Sequence, residues 1–130
     1  MRVYLDSCIV IYLVEGAEEF RAAAQGALES SRPEETCISD LVRLECRVGP
    51  IRRGDFAARE RFDRFFGDVR VLPLTATAYD LAAELRAQHR LKTPDAIHSA
   101  AAIYHGCDEL WTNDRRLAAF ASRLKIRVLP

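Results

Sequence analysis

Lysine is nearly missing from this sequence. Of 19 cationic side chains, only Lys92 and Lys125 are lysine, and the rest are arginine. A net charge is missing as well, because 19 acids balance the cations, so overall charge says nothing about partners. No stretch approaches the ~18 consecutive apolar residues of a membrane span. The N-terminal apolar run is short, carries Asp6, and is followed by Glu15 where a cleavage site would stand, so a signal peptide is not expected. The four cysteines, Cys8, Cys37, Cys46 and Cys107, have no C-x-x-C spacing and join no His in a zinc-finger pattern. Cys8, Cys37 and Cys46 lie among apolar neighbours, as small buried hydrophobes do. The expectation is a cytoplasmic protein with reduced thiols and no membrane contact.

What is present fits one ordinary globular unit. The 130 residues are 49% hydrophobic and 29% charged, and residues 1–130 read as a single domain. Charge is uneven along it. Acids dominate the first 35 residues; eight arginines face five acids between Arg43 and Arg70; five cations and no acid lie between Arg115 and Arg127. Planar guanidinium forks suit phosphates and interfaces. Basic patches beside an acidic site suit a polyanionic substrate, although a solvated helix face explains any one run equally well.

Apolar periodicity gives the elements in order. Val3 to Leu5 is a β-prone run ending at Asp6. A helix from Ser7 to Val14 stops at Gly16, and an Ala-rich helix runs from Glu18 to Ser30. A strand at Thr36–Ile38 leads into a helix from Ser39, the expected cap, to Val48, with Gly49-Pro50 as its expected end and Arg52-Arg53-Gly54-Asp55 as an exposed turn. Phe56 to Phe66 is an amphipathic helix and Val69 to Leu74 a strand. Ala76 to Arg90 is a long helix with Tyr79, Leu81, Ala82 and Leu85 expected inward. Thr93 as cap and Pro94 at the first position open a helix running to about Tyr104. Glu109 to Thr112 is a strand, Asp114 to Leu124 a helix, and Ile126 to Leu129 a last strand. Strands alternating with helices argue for an α/β domain around a parallel sheet of four or five short strands.

Four acids stand out on this frame. Asp6 and Asp114 follow strands, where ligands gather at the carboxyl ends of an open sheet. Asp95 opens a helix. Each of these three also suits a plain capping role. Glu45 is harder to explain so. With Leu41, Leu44 and Val48 as the apolar stripe, Glu45 faces inward, and an inward carboxylate needs a cation or a metal. A buried pair with Arg43 or Arg52 is the plain alternative. Four carboxylates at one sheet end repel one another, and a hard divalent cation removes that conflict. An oxygen-only set points to Mg²⁺ or Mn²⁺, ions that can activate water for phosphoryl displacement. Ser7, Thr112 and Asn113 supply hydroxyl or amide support beside the acids. His98 lies one turn after Asp95 on the same face, a spacing that could make a metal pair, but the preferred reading is a packed or hydrogen-bonding histidine beside the site.

The segments Val-Tyr-Leu-Asp6-Ser-Cys, Leu-Val-Arg-Leu-Glu45-Cys-Arg, Thr-Pro-Asp95-Ala-Ile-His-Ser-Ala and Leu-Trp-Thr-Asn-Asp114 together resemble the PIN-domain family, and most of all the VapC toxins of bacterial toxin–antitoxin pairs. The resemblance spans nearly the whole chain, in order. It implies a three-layer α/β/α fold, with Asp6, Glu45, Asp95 and Asp114 as the catalytic metal-site acids and Ser7, Thr112 and Asn113 in support. It further implies a Mg²⁺- or Mn²⁺-dependent endoribonuclease that leaves a 5′-phosphate and a 3′-hydroxyl on transfer or ribosomal RNA. A homodimer is implied too, with a VapB-like antitoxin whose tail fills the groove. Arg43, Arg52, Arg53, Arg115 and Arg116 are the candidate contacts to the RNA backbone.

Two other readings compete. One is a PIN nuclease outside the toxin class, acting on DNA or in RNA processing. The other is a non-catalytic acidic α/β binding domain. Within the second class, a phospho-acceptor receiver lacks support, because Asp6 is followed by Ser7-Cys8 and neither lysine follows a strand suitably. A haloacid-dehalogenase-type phosphatase needs Asp-x-Asp, and a dinucleotide-binding domain needs G-x-G-x-x-G; neither motif occurs.

Overall fold

The computed structural model describes residues 1–120 and 124–130. Its core is one five-stranded, all-parallel sheet in the order β3-β2-β1-β4-β5. The strands are β1 (Arg2–Leu5), β2 (Glu35–Ser39), β3 (Arg70–Leu72), β4 (Glu109–Thr112) and β5 (Lys125–Val128). The helices are α1 (Ser7–Glu15), α2 (Glu18–Ser31), α3 (Asp40–Arg53), α4 (Phe56–Asp68), α5 (Ala76–His89) and α6 (Thr93–Tyr104), with a 3₁₀ helix at Arg115–Phe120. Helices cover both faces in a three-layer α/β/α arrangement: α1 to α4 contact one another, and α5 pairs with α6.

Sheet position explains strand composition. β1 is central, and Val3, Tyr4 and Leu5 are fully buried; all four residues of β4 are buried beside it. Strands covered on both faces read as continuous apolar runs, which is why these two were legible. The chain leaves β1 toward β2 and β3, then returns across α5 and α6 to place β4 on the other side of β1. That reversal opens a crevice at the carboxyl ends of β1 and β4, the place where open α/β sheets bind ligands.

Several boundaries differ from expectation. α3 continues through Gly49-Pro50 to Arg53. Gly49 has no Cβ to clash with the proline ring, and Pro50 is buried on the same stripe as Val42 and Cys46. The helix ends at Gly54, left-handed at φ +65°, whose N–H reaches the Pro50 and Ile51 carbonyls. Arg52 and Arg53 therefore lie in the last helical turn, where the dipole favours cations, and not in a loop. The true stripe, Val42–Cys46–Pro50, turns Leu44 and Val48 outward; Leu44 is 60% exposed. β3 is shorter than the expected strand. Tyr79 faces solvent, while Ala78, Ala82 and Leu85 form the inner face of α5. Lys92 caps α6, so Thr93 and Pro94 fall inside its first turn. The segment after Asp114 is a 3₁₀ helix through Phe120; the rest of the helix expected there lies outside the described residues up to residue 123. No helix among the described residues is long and apolar enough to cross a membrane.

Candidate active site

Asp6 ends β1 and caps α1. Its Oδ1 accepts the Ser7 backbone N–H at 2.7 Å, so the capping role and a place at the sheet edge coexist. Its Oδ2 accepts the Thr112 hydroxyl at 2.8 Å, across from the end of β4, and its own N–H bonds to the Trp111 carbonyl at 3.0 Å. The Thr112 Oγ1 accepts the Asp114 N–H at 3.1 Å. A single hydroxyl thus ties the first acid to the backbone of the last. The Ser7 hydroxyl stands 3.5 Å from Asp6 Oδ1. Asn113 turns elsewhere: its amide donates to the Tyr12 hydroxyl at 2.8 Å.

Glu45 reaches the site from α3, beside the buried stripe and not on it. Its partner is neither Arg43 nor Arg52 but His98 on α6, with Oε1 and Nε2 2.6 Å apart. The same Nε2 lies 3.5 Å from Asp6 Oδ1. The His98 side chain is 2% exposed, against 12% for Asp6 and 29% for Glu45. Its other ring nitrogen, Nδ1, bonds to the Tyr4 hydroxyl at 2.7 Å, and that hydroxyl bonds to Ser39 Oγ at 2.8 Å. Ser39 stands at the N-cap of α3, yet its side chain makes no cap bond, because it is committed to Tyr4. Burial pushes the Tyr4 hydroxyl well above its usual pKa, so it keeps its proton. With Nε2–H donating to the Glu45 carboxylate, Nδ1 accepts from the Tyr4 hydroxyl and Tyr4 accepts from Ser39.

Asp6, Glu45 and His98 offer one ligand atom each within 4.8 Å of one another, the one such group of three among the described residues. Asp95, in the first turn of α6, stands outside that inner group but feels it. Burial, then the negative charges of Asp6 and Asp114, raise its carboxyl above the ordinary range; His98 and Arg116 partly offset this. Asp114 is lowered instead, first by its hydrogen bond to Arg116. The Arg116 guanidinium folds onto it, with Nη2 2.7 Å and Nε 3.2 Å from Oδ2 and Nε 3.0 Å from Oδ1. Arg116 is therefore engaged with an acid even though its side chain is exposed. Arg43 lies over the Phe66 ring, Arg53 pairs with Glu15, and Arg52 and Arg115 are exposed. Cys8 and Cys46 border the acids. Burial first, then the nearby carboxylates, pushes both thiols up to about 12, which rules them out as nucleophiles at neutral pH.

Asp6 and Glu45 thus meet across His98 Nε2, Asp114 is tied to Asp6 through Thr112, and Asp95 feels their charge. His98 is buried and hydrogen-bonded beside the acids, as expected. Its signal was the spacing Asp95-x-x-His98, which puts both on one face of a helix opening at the sheet edge. A buried Asp6 and a half-buried Glu45 beside a buried imidazole, with Asp95 and Asp114 close by, form a donor set that suits a divalent cation.

Solved structures share this architecture. VapBC2 from Rickettsia felis, bound to a DNA fragment from its promoter, matches with a TM-score of 0.83 at 18% identity, covering 100% of both chains. A toxin–antitoxin complex from Klebsiella pneumoniae gives 0.77 at 26% identity, covering 97% of this chain and 96% of that one. VapC20 from Mycobacterium tuberculosis, a toxin that cleaves the sarcin–ricin loop, gives 0.76 at 22% identity, covering 98% and 99%. No curated protein sequence matches. The PIN domain family model matches residues 3–122, a span that holds β1, the α3 and α6 acids and the end of β4. By that match over nearly its whole length, the chain belongs to the PIN domain family.

Proposed function

We propose that this protein is a metal-dependent endoribonuclease and the toxin of a VapBC-like toxin–antitoxin pair. The observation that carries the reading is the meeting of Asp6 and Glu45 at the carboxyl crevice of β1 and β4 in a PIN domain, a class of nucleases. Asp6, Glu45, Asp95 and Asp114 are the acids proposed to act, with Thr112 and Ser7 holding Asp6 in place. A bound Mg²⁺ or Mn²⁺ would supply Lewis acidity to lower the pKa of water and to neutralise phosphate oxygens. Asp95, whose carboxyl pKa is raised first by burial, is proposed to take the proton from the attacking water. Asp114, held by Arg116, is the poorer base. Attack in line on the phosphodiester leaves a 5′-phosphate and a 3′-hydroxyl.

Exposed Arg52 and Arg115 are proposed as phosphate contacts, with affinity falling as salt rises. The neighbour that cleaves the sarcin–ricin loop supports RNA as the substrate, and the VapBC and toxin–antitoxin complexes support a VapB-like antitoxin as partner. A homodimer and a cytoplasmic location complete the reading. The deciding experiment is cleavage of a pool of structured RNAs by the purified chain with Mn²⁺ or Mg²⁺. Discrete products that vanish with EDTA and with Asp6→Asn are expected. Products that persist with Asp6→Asn would show that the catalytic site lies elsewhere.

A further inference from the structure

We infer that the metal centre of this protein carries a nitrogen ligand, His98 Nε2, alongside Asp6 and Glu45, and so selects Mn²⁺ over Mg²⁺ more strongly than an all-oxygen site does. The inference rests on the metal-dependent reading above and specifies its inner ligand set.

Three observations carry it. The first is proximity. Nε2 lies 2.6 Å from Glu45 Oε1 and 3.5 Å from Asp6 Oδ1. Adjacent ligands of an octahedral ion with bonds of about 2.1 Å sit about 3 Å apart, so these two spacings bracket the required one. The second is orientation. Imidazole ligates a metal through one nitrogen while the other is held by a hydrogen-bond partner that fixes tautomer and ring plane. Here Nδ1 is held by the buried Tyr4 hydroxyl, which is itself held by Ser39. Without a metal Nε2–H donates to Glu45 and Tyr4 donates to Nδ1; because the Tyr4 and Ser39 hydroxyls can both turn, Nδ1–H can instead donate to Tyr4 and Tyr4 to Ser39, which frees the Nε2 lone pair for the ion. The third is exclusion of the alternatives. Among the described residues no third carboxylate joins Asp6 and Glu45 within the same short distance; His98 takes that place. Asp95 and Asp114 remain as outer anions. Imidazole suits first-row transition metals, whereas Mg²⁺ prefers oxygen ligands, so one nitrogen shifts the balance toward Mn²⁺.

The test reads the ligand directly and needs no RNA. Protein loaded with Mn²⁺ is examined by electron spin echo envelope modulation, once with natural histidine and once with ¹⁵N-labelled histidine. A ¹⁴N modulation that changes on labelling and disappears in His98→Gln is expected. In competition titrations Mg²⁺ should displace Mn²⁺ from His98→Gln at about tenfold lower concentration than from the unaltered protein. Asp6→Asn runs alongside and should lose Mn²⁺ binding. If Asp6→Asn loses Mn²⁺ while the unaltered protein shows no histidine nitrogen coupling, the centre stands and the nitrogen ligand is refuted. If Asp6→Asn binds Mn²⁺ normally, the centre itself is misplaced and the inference falls with it. The isotope comparison uses the unaltered chain, so the outcome holds even where His98→Gln does not fold.

Discussion

Replacing Tyr4 by Phe removes one oxygen and leaves the ring volume, so the cost comes from hydrogen bonds and not from a cavity. The lost hydroxyl serves His98 Nδ1 at 2.7 Å and Ser39 Oγ at 2.8 Å. Tyr4 and Ser39 are fully buried and His98 is 2% exposed, so water has little access to replace it. Each abandoned buried partner costs about 1–3 kcal/mol. Ser39 can rotate its hydroxyl and His98 keeps its contact to Glu45, which places the sum near the lower end, about 3 kcal/mol. For a domain of this size that lowers Tm by about 10 °C. Urea unfolding measures the loss, with an unchanged m-value to show that the two end states are the same. Ser39→Ala alone should cost about 1 kcal/mol, and the double variant less than the sum, because Ser39 has already lost its partner. A Tyr4→Phe loss below about 1 kcal/mol, or strict additivity in the double variant, would refute the linked chain.

Four further outcomes are expected. Asp6→Asn should abolish RNA cleavage while keeping the fold, since an amide oxygen can still accept the Ser7 N–H; circular dichroism and cleavage assays separate the two effects. In the unaltered protein Mn²⁺ at about 100 times its Kd should stabilise the fold by about 2.7 kcal/mol, and Asp6→Asn should show no such shift in Tm. The raised Asp95 pKa means that the folded, metal-free state binds its proton more tightly than the unfolded state does. Stability should therefore fall as pH rises from the reference value of 3.8 through the raised one, and Asp95→Asn should flatten that slope in a series of melts. Arg116→Gln removes the cation that occupies Asp114, so Mn²⁺ titration should show several-fold tighter binding; unchanged affinity would mean that Asp114 contributes nothing to holding the ion.

Much of the fold could be read because burial and composition coincide in the central strands. Val3-Tyr4-Leu5 and Leu110-Trp111 are covered on both faces, and their uniform apolarity marks them. Gly49-Pro50 misled because its local turn chemistry is strong, whereas the tertiary packing of Pro50 against the core decides the outcome. Glu45 was placed inward for the wrong reason. The stripe drawn through Leu44 and Val48 faces solvent, and Glu45 reaches the site from the flank of Val42 and Cys46. The pairing of Glu45 with His98 joins residues 53 apart, a distance over which helical periodicity carries no information. The commitment of Ser39 to Tyr4, and of Arg116 to Asp114, depends on side-chain direction and was equally invisible. Spacing showed which acids share the sheet edge, but only packing shows which of them touch.

The Asp6–Thr112 bond spans 106 positions, and β1 needs β4 as one of its two neighbours. Asp6 is translated long before Thr112. A ribosome therefore holds a growing chain with its first acid made and that acid's partner still unwritten. Glu45 likewise waits for His98, and both wait for the crossover that brings β4 beside β1. The acids are thus tied together only once Thr112 and Asp114 have been made. A chain cut short before β4, by stalling or by a protease, carries Asp6, Glu45 and Asp95 but lacks Thr112 and Asp114. An enzyme proposed to cut RNA thus stays without its full set of acids for as long as β4 and Asp114 are unmade.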